Sequence, residues 1–188
     1  SDQIRNAATL GGNIGNASPA GDTLVPLMIL DARVELASKP DGVITRRLVP
    51  LQEFFVGPGR TRRDPKELVA AVCVPRPAEG FVGRFLKFGT RPALDISVIS
   101  IGVGGVLRDR TLHRVRVAFG AVAPTPVRCP CSEQLLEGRP LTAELIGEAA
   151  RAARDEVRPI SDVRASAWYR KEMIHNMMER ILSDVAAA

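Results

Sequence analysis

The alternation of apolar and polar positions divides the chain into a β-rich first part, a second β region and a helical end. Arg33-Val34-Glu35-Leu36-Ala37 alternates polar and apolar residues and predicts a half-buried strand. Lys39-Pro40-Asp41-Gly42 is a turn, with proline fixing φ and glycine supplying the unusual dihedral, and residues 43–49 return as the second arm of a hairpin. Pro50 to Phe55 predicts a short helical turn carrying two aromatics, and residues 57–65 an exposed loop. Residues 67–74 predict a strand stopped by Pro75-Arg76-Pro77. Phe81 to Phe88, residues 96–107 and residues 113–122 predict three further strands, the middle one a long β-branched run interrupted by glycines, with Arg108-Asp109-Arg110 as a turn. Short helical signals follow over residues 132–136, ended by Gly138, and then a helix from Thr142 through Val157. The last helix runs from about Ser166 to about Val185, where Ile174, Met177, Met178, Ile181, Leu182 and Val185 form a stripe at helical spacing. Its methionines read as core filler. Strands followed by helices predict an α+β layer, with helices on one face of a three-stranded antiparallel sheet.

One stretch fits neither period. Thr9 to Asp22 packs four glycines and two asparagines into fourteen residues, a composition that suits neither helix nor strand. Exposed N–H groups in such a loop form a nest for anions, and Thr9, Asn13, Asn16 and Ser18 add neutral polar groups. Residues 23–30 predict a short helix behind it, with Asp22 as N-cap, and a helix start behind a glycine loop favours phosphate. A glycine-rich turn without a ligand accounts for the same residues, and the chemistry alone leaves both readings open.

The residues from Ile4 to Ile14, followed by Ala17-Ser18-Pro19 and Asp22, resemble the second flavin-binding signature of the molybdenum hydroxylase flavoproteins. That family includes the FAD domain of xanthine dehydrogenase and the medium subunit of aerobic carbon monoxide dehydrogenase. Phe119 to Arg128 and Pro159 to Arg170 resemble the C-terminal domain of the same flavoproteins, with Ala165 and Trp168 departing from its usual pattern. The resemblance covers nearly the whole chain. It implies a second FAD-binding subdomain of the vanillyl-alcohol-oxidase-like type over residues 1–78, and a flavoprotein C-terminal α+β domain over 79–188. It further implies that Thr9, Gly11, Gly12, Asn13, Asn16 and Asp22 cradle the FAD pyrophosphate and ribose. By the same resemblance Val69 touches the cofactor, Lys87 stands beside the flavin ring, and Arg91 and Asp95 flank a loop near it. The family's earlier glycine-rich motif, carried by an N-terminal FAD subdomain, is missing from this chain, which then reads as a fragment or as half of a split subunit, inactive in isolation. The implied role is electron transfer: from a molybdopterin-binding large subunit, through [2Fe–2S] clusters on an iron–sulfur small subunit, to FAD. An FAD-free docking fragment is the alternative.

Composition narrows this little further. At 188 residues with 45% hydrophobic and 25% charged content, the chain can bury a substantial core. No apolar run reaches the roughly 20 residues of a membrane helix, and no signal peptide is visible. The three cysteines form no CxxC pair and fall short of the four thiolates a [2Fe–2S] cluster takes, so cluster ligands are expected on another subunit. A cytoplasmic setting is the default for such cysteine usage. The net charge of +5 permits nucleic-acid binding, but the arginines are scattered and one Trp and one Tyr make poor stacking platforms. No nucleic-acid partner is expected. His113 and His175 show no metal spacing, no catalytic triad or carboxylate pair is legible, and Gly102-Val103-Gly104-Gly105 opens no helix, so it is not a dinucleotide fingerprint.

Overall fold

The computed structural model describes residues 2–91 and 95–187. The first region holds helices α1 (Asp2–Ala7), α2 (Leu10–Asn16) and α3 (Leu24–Ile29), strands β1 (Arg33–Ser38) and β2 (Thr45–Pro50), helix α4 (Leu51–Phe54), strands β3 (Phe55–Gly57), β4 (Arg60–Thr61) and β5 (Leu68–Cys73). The second holds β6 (Phe81–Phe88), β7 (Ile99–Arg108), β8 (Thr111–Gly120), β9 (Val127–Arg128), α5 (Pro130–Leu136), α6 (Ala143–Glu156) and α7 (Ala167–Ala186). Among the described residues the two larger sheets are both antiparallel, the first of order β2-β1-β5 and the second of order β6-β7-β8-β9. The three expected long strands of the second sheet are thus joined by a fourth, two-residue strand. Residues 57–65, expected as an open loop, take part in the small β3–β4 pair.

Alternation along the second sheet sorts its two faces. Ile99, Ile101, Val103, Val117 and Phe119 point to the face covered by α5, α6 and α7, and pack there with Ile174, Met178 and Ile181. The intervening positions are small, Ser100, Gly102, Gly104, Ala118 and Gly120, and α3 lies against them. A Cβ on Gly102 would stand 2.9 Å from Val25 Cγ1, and one on Gly104 would stand 3.4 Å from Ile29 Cβ. Gly102 and Gly104, two of the three glycines of the stretch that is no dinucleotide fingerprint, are therefore the seat of α3, while Gly105 lies against β8, and helices cover both faces of this sheet. Ile14, Leu24, Val25, Leu36 and Phe54 form a second buried cluster between α3 and the first sheet. Thr142 caps α6 as expected, accepting from the Leu145 N–H, and Ser166 caps α7 in the same way, accepting from the Tyr169 N–H.

An ion pair ties β2 of the first sheet to the residue just before β5. Arg47 on β2 grips Glu67 with two hydrogen bonds, Nε to Oε1 at 2.6 Å and a terminal nitrogen to Oε2 at 2.7 Å. The Arg47 guanidinium, with the Asp64 N–H helping and burial opposing, holds the Glu67 carboxyl down to about 2. A carboxylate depressed in the folded state contributes stability above its unfolded value, about 4.3, and loses it as pH falls through the folded value. Urea midpoints should therefore fall as the pH drops from about 4.3 towards 2, and Glu67→Gln should flatten that part of the profile. An unchanged slope in the variant would show that the pair is not coupled to folding.

Candidate functional site

Thr9 to Asp22 is not a loop throughout. Residues Leu10–Asn16 form α2, with Thr9 in extended backbone at its N-cap, accepting from the Gly12 N–H at 2.9 Å. Three glycines make this a poor helix by propensity. Tertiary burial decides otherwise: Ile14 is fully buried, α2 lies along β5, and Ala17 closes it in the left-handed region, donating to the Ile14 carbonyl. The Leu10 and Gly11 N–H groups find no acceptor among the described residues, as expected at a helix start.

The residues named from the signature fall into two joined groups. Thr9, Gly11 and Gly12 share the start of α2, with Val69 beside them, its Cγ1 lying 3.7 Å from where a Gly11 Cβ would be. Asn13 accepts from the Thr23 hydroxyl at 2.6 Å, which links α2 to the turn holding Asp22. Asp22 does not cap α3: Thr23 holds the N-cap position and makes no side-chain capping bond. The Asp22 carboxylate is engaged elsewhere. Lys87 Nζ donates to Asp22 Oδ2 at 2.6 Å and to the Asp95 carbonyl at 2.9 Å, and the Ser97 hydroxyl donates to Asp22 Oδ1 at 3.0 Å. A full charge 65 positions away in sequence outcompetes a local N–H for the carboxylate. Asn16 is exposed at the end of α2 and joins neither group. Asp95 and Arg91 flank this corner, the Asp95 carboxylate accepting from the Thr90 hydroxyl at 3.3 Å. Ser97 and Thr23 were missed by reasoning from sequence, because a single hydroxyl carries no pattern.

The arrangement offers unpaired backbone donors, flat glycine surface and an apolar wall at one end, and an ammonium held by a carboxylate at the other. Backbone that a side chain would obstruct, together with free N–H groups, fits a pyrophosphate. An ammonium at the far end fits a redox-active ring that gains negative charge. The residues present therefore fit FAD. A cleft of about 470 Å³ lies between Arg33, Arg76, Arg114 and Arg116 beside Phe81, at the opposite end of β6 from Lys87, and shares no residue with this corner. Among the described residues no group of histidines, cysteines and carboxylates could hold a metal ion, and no helix is long and apolar enough to cross a membrane.

Residues 84–185 match the family model described as CO dehydrogenase flavoprotein C-terminal domain, and residues 1–77 match FAD binding domain in molybdopterin dehydrogenase. The chain belongs to the FAD-binding medium subunits of the xanthine and CO dehydrogenase family. It is 37% identical over 187 residues to the xanthine dehydrogenase FAD-binding subunit of Escherichia coli O157:H7, covering 99% of this chain and 63% of that protein. It is 32% identical to the glyceraldehyde dehydrogenase medium chain of Sulfolobus acidocaldarius, covering 98% of this chain and 63% of that protein. Its fold superposes on a chain of reconstituted CO dehydrogenase from Oligotropha carboxidovorans with a TM-score of 0.91 at 27% identity, over 100% of this chain and 64% of that one. As a medium-subunit flavoprotein chain, it spans about 63% of the length of the curated relatives named here.

Proposed function

We propose that this chain is the FAD-carrying part of the electron-transfer component of a molybdenum hydroxylase. In this reading FAD lies along the start of α2 and the Asp22–Lys87 corner, and accepts electrons from [2Fe–2S] clusters on a small subunit fed by a molybdopterin-binding large subunit. The observation that carries it is the meeting of Lys87 with the Asp22 turn, which sets a cation at the end of a glycine-rich phosphate cradle. Thr9 and the α2 donors would hold the pyrophosphate, with Gly11 and Gly12 keeping that surface open and Val69 walling it. Asn13 would fix the turn through Thr23, Asn16 would face the ribose, and Lys87 would stand at the flavin ring. Bound FAD supplies the redox chemistry; the chain orients it and sets the charge around it. We assign residues 1–78 to FAD binding and 79–188 to the C-terminal domain that presents Lys87.

A flavin-fluorescence titration tests the reading, and failure to take up FAD would favour the docking-fragment alternative. In FAD-loaded protein, Lys87→Met should lower the flavin midpoint potential. It removes the cation and leaves the Asp22 carboxylate unpaired beside the ring, so negative charge gained on reduction is destabilised twice. A spectroelectrochemical titration that returns the same potential would place Lys87 away from the flavin.

A further inference from the structure

The Asp22 corner is held from behind by a network that runs into the C-terminal domain. Arg170 on α7 is 2% exposed, the largest fully buried side chain in the molecule. One terminal nitrogen donates to the Ala121 carbonyl at 2.7 Å and the other to Asp162 Oδ1 at 2.7 Å, while Nε has no partner among the described residues. Asp162 is saturated: Oδ1 also accepts from the Arg164 and Ala165 N–H groups at 2.9 and 3.3 Å, and Oδ2 accepts from Arg164 at 2.7 and 3.2 Å. Burial disfavours the Asp162 charge, yet the hydrogen bonds from Arg164, from the backbone and from Arg170 outweigh it and keep the carboxyl well below the usual range.

Two arms leave this centre and both end on the turn between α2 and α3. In the first, Arg164 donates to the Ser97 carbonyl at 3.4 Å and the Ser97 hydroxyl donates to Asp22 Oδ1. In the second, Ala121, whose carbonyl Arg170 holds, donates its N–H to the Pro19 carbonyl at 2.8 Å. Ala121 sits at φ +62°, a left-handed conformation alanine rarely adopts, in the link that carries this arm. A fully buried guanidinium is a poor way to fill a core, because an apolar side chain of similar volume packs there without desolvating a charge. What the charge adds is direction: it fixes one carbonyl and one carboxylate at set angles.

We infer that Asp162 and Arg170 are positioning residues that hold the Pro19–Asp22 turn, and through Asp22 the Lys87 ammonium, against the C-terminal sheet. The inference rests on the reading of that corner as the flavin site for its purpose, and on the geometry alone for its physical content.

Amide hydrogen exchange on the full chain tests it. In Asp162→Asn the amides of Gly21, bonded within the turn to the Ser18 carbonyl, and of Ala121, bonded to Pro19, should exchange about tenfold faster or more. The amides of Ile101 and Val103, in the middle of the second sheet, should keep their rates. Arg164→Gln cuts the first arm and removes the side-chain bonds to Asp162 Oδ2, but leaves the Asp162–Arg170–Ala121 link in place, so it should speed Gly21 and leave Ala121 protected. It also serves as the deciding variant if Asp162→Asn does not fold. Uniform acceleration of all four amides would reduce the network to a support for global stability, and unchanged rates at Gly21 and Ala121 would overturn the inference. An FAD titration of the same proteins separates the two proposals. Unaltered chain that takes up no FAD would defeat the functional reading, while the exchange pattern still decides the positioning role.

Discussion

Gly102→Val should shift the urea midpoint sharply downward, by a loss of about 2–3 kcal/mol of stability. The added Cβ would stand 2.9 Å from Val25 Cγ1 and 3.2 Å from Ile29 Cγ2, inside any normal contact. Both neighbours are β-branched and have few alternative rotamers in a helix, so neither can swing aside. Relief requires α3 to move off the sheet, and α3 also carries Leu24 and Met28 of the other buried cluster. Valine gains at most about 1 kcal/mol in strand preference over glycine, too little to offset that wedge. Gly15→Ala is the contrasting case. Nothing lies within 4 Å of its Cβ position, so alanine meets open space in a helix and should raise stability by about 0.5–1 kcal/mol. If the two variants unfold at the same midpoint, the close approach of α3 is not what these strand glycines serve.

The second large effect is expected on ligand binding. Gly12→Val should weaken FAD binding by about a hundredfold or more. A Cβ at Gly12 would stand 3.0 Å from Thr9 Oγ1, the atom that caps α2 by accepting from the Gly12 N–H. Valine would displace that cap and project methyl groups over the exposed surface where backbone donors have to meet phosphate. Each charge-assisted hydrogen bond lost costs roughly 1.5–3 kcal/mol, so losing two exceeds the roughly 2.7 kcal/mol that corresponds to a hundredfold. Gly12 is exposed and α2 is short, so the fold should survive, which circular dichroism checks. Undiminished FAD uptake by the folded variant would remove the start of α2 from the site.

These two glycine positions also show where a sequence can be read and where it cannot. The strands β1, β6 and β8 announce themselves by alternation, because a strand's side-chain period is a local property, while β2, β5 and β7 are marked by a turn, a proline stop and a β-branched run. The cap of α6 is legible for the same reason: Thr142 bonds to an N–H group three residues ahead. The flavoprotein signature is legible because it is contiguous. Yet the same glycine-rich stretch misleads about its own conformation. Its composition argues against a helix, while the burial of Ile14 and the packing of α2 on β5 supply what propensity withholds. The strand glycines at 102 and 104 are visible in sequence, but their partner, α3, lies more than seventy positions earlier.

The sequence by itself determined the α+β class, most element positions and the family, since each rests on neighbours in the chain. Tertiary structure alone decided what Asp22 does. As a residue before a helix it looked like a cap. In the fold it meets Lys87 from 65 positions away and Ser97 from 75, and Asp162, paired with the buried Arg170, stands behind it. Ion pairs of that kind leave no periodic trace, because nothing in the local sequence of either partner depends on the other. They exist only once two sheets and the helix between them have brought distant charges within reach of a hydrogen bond.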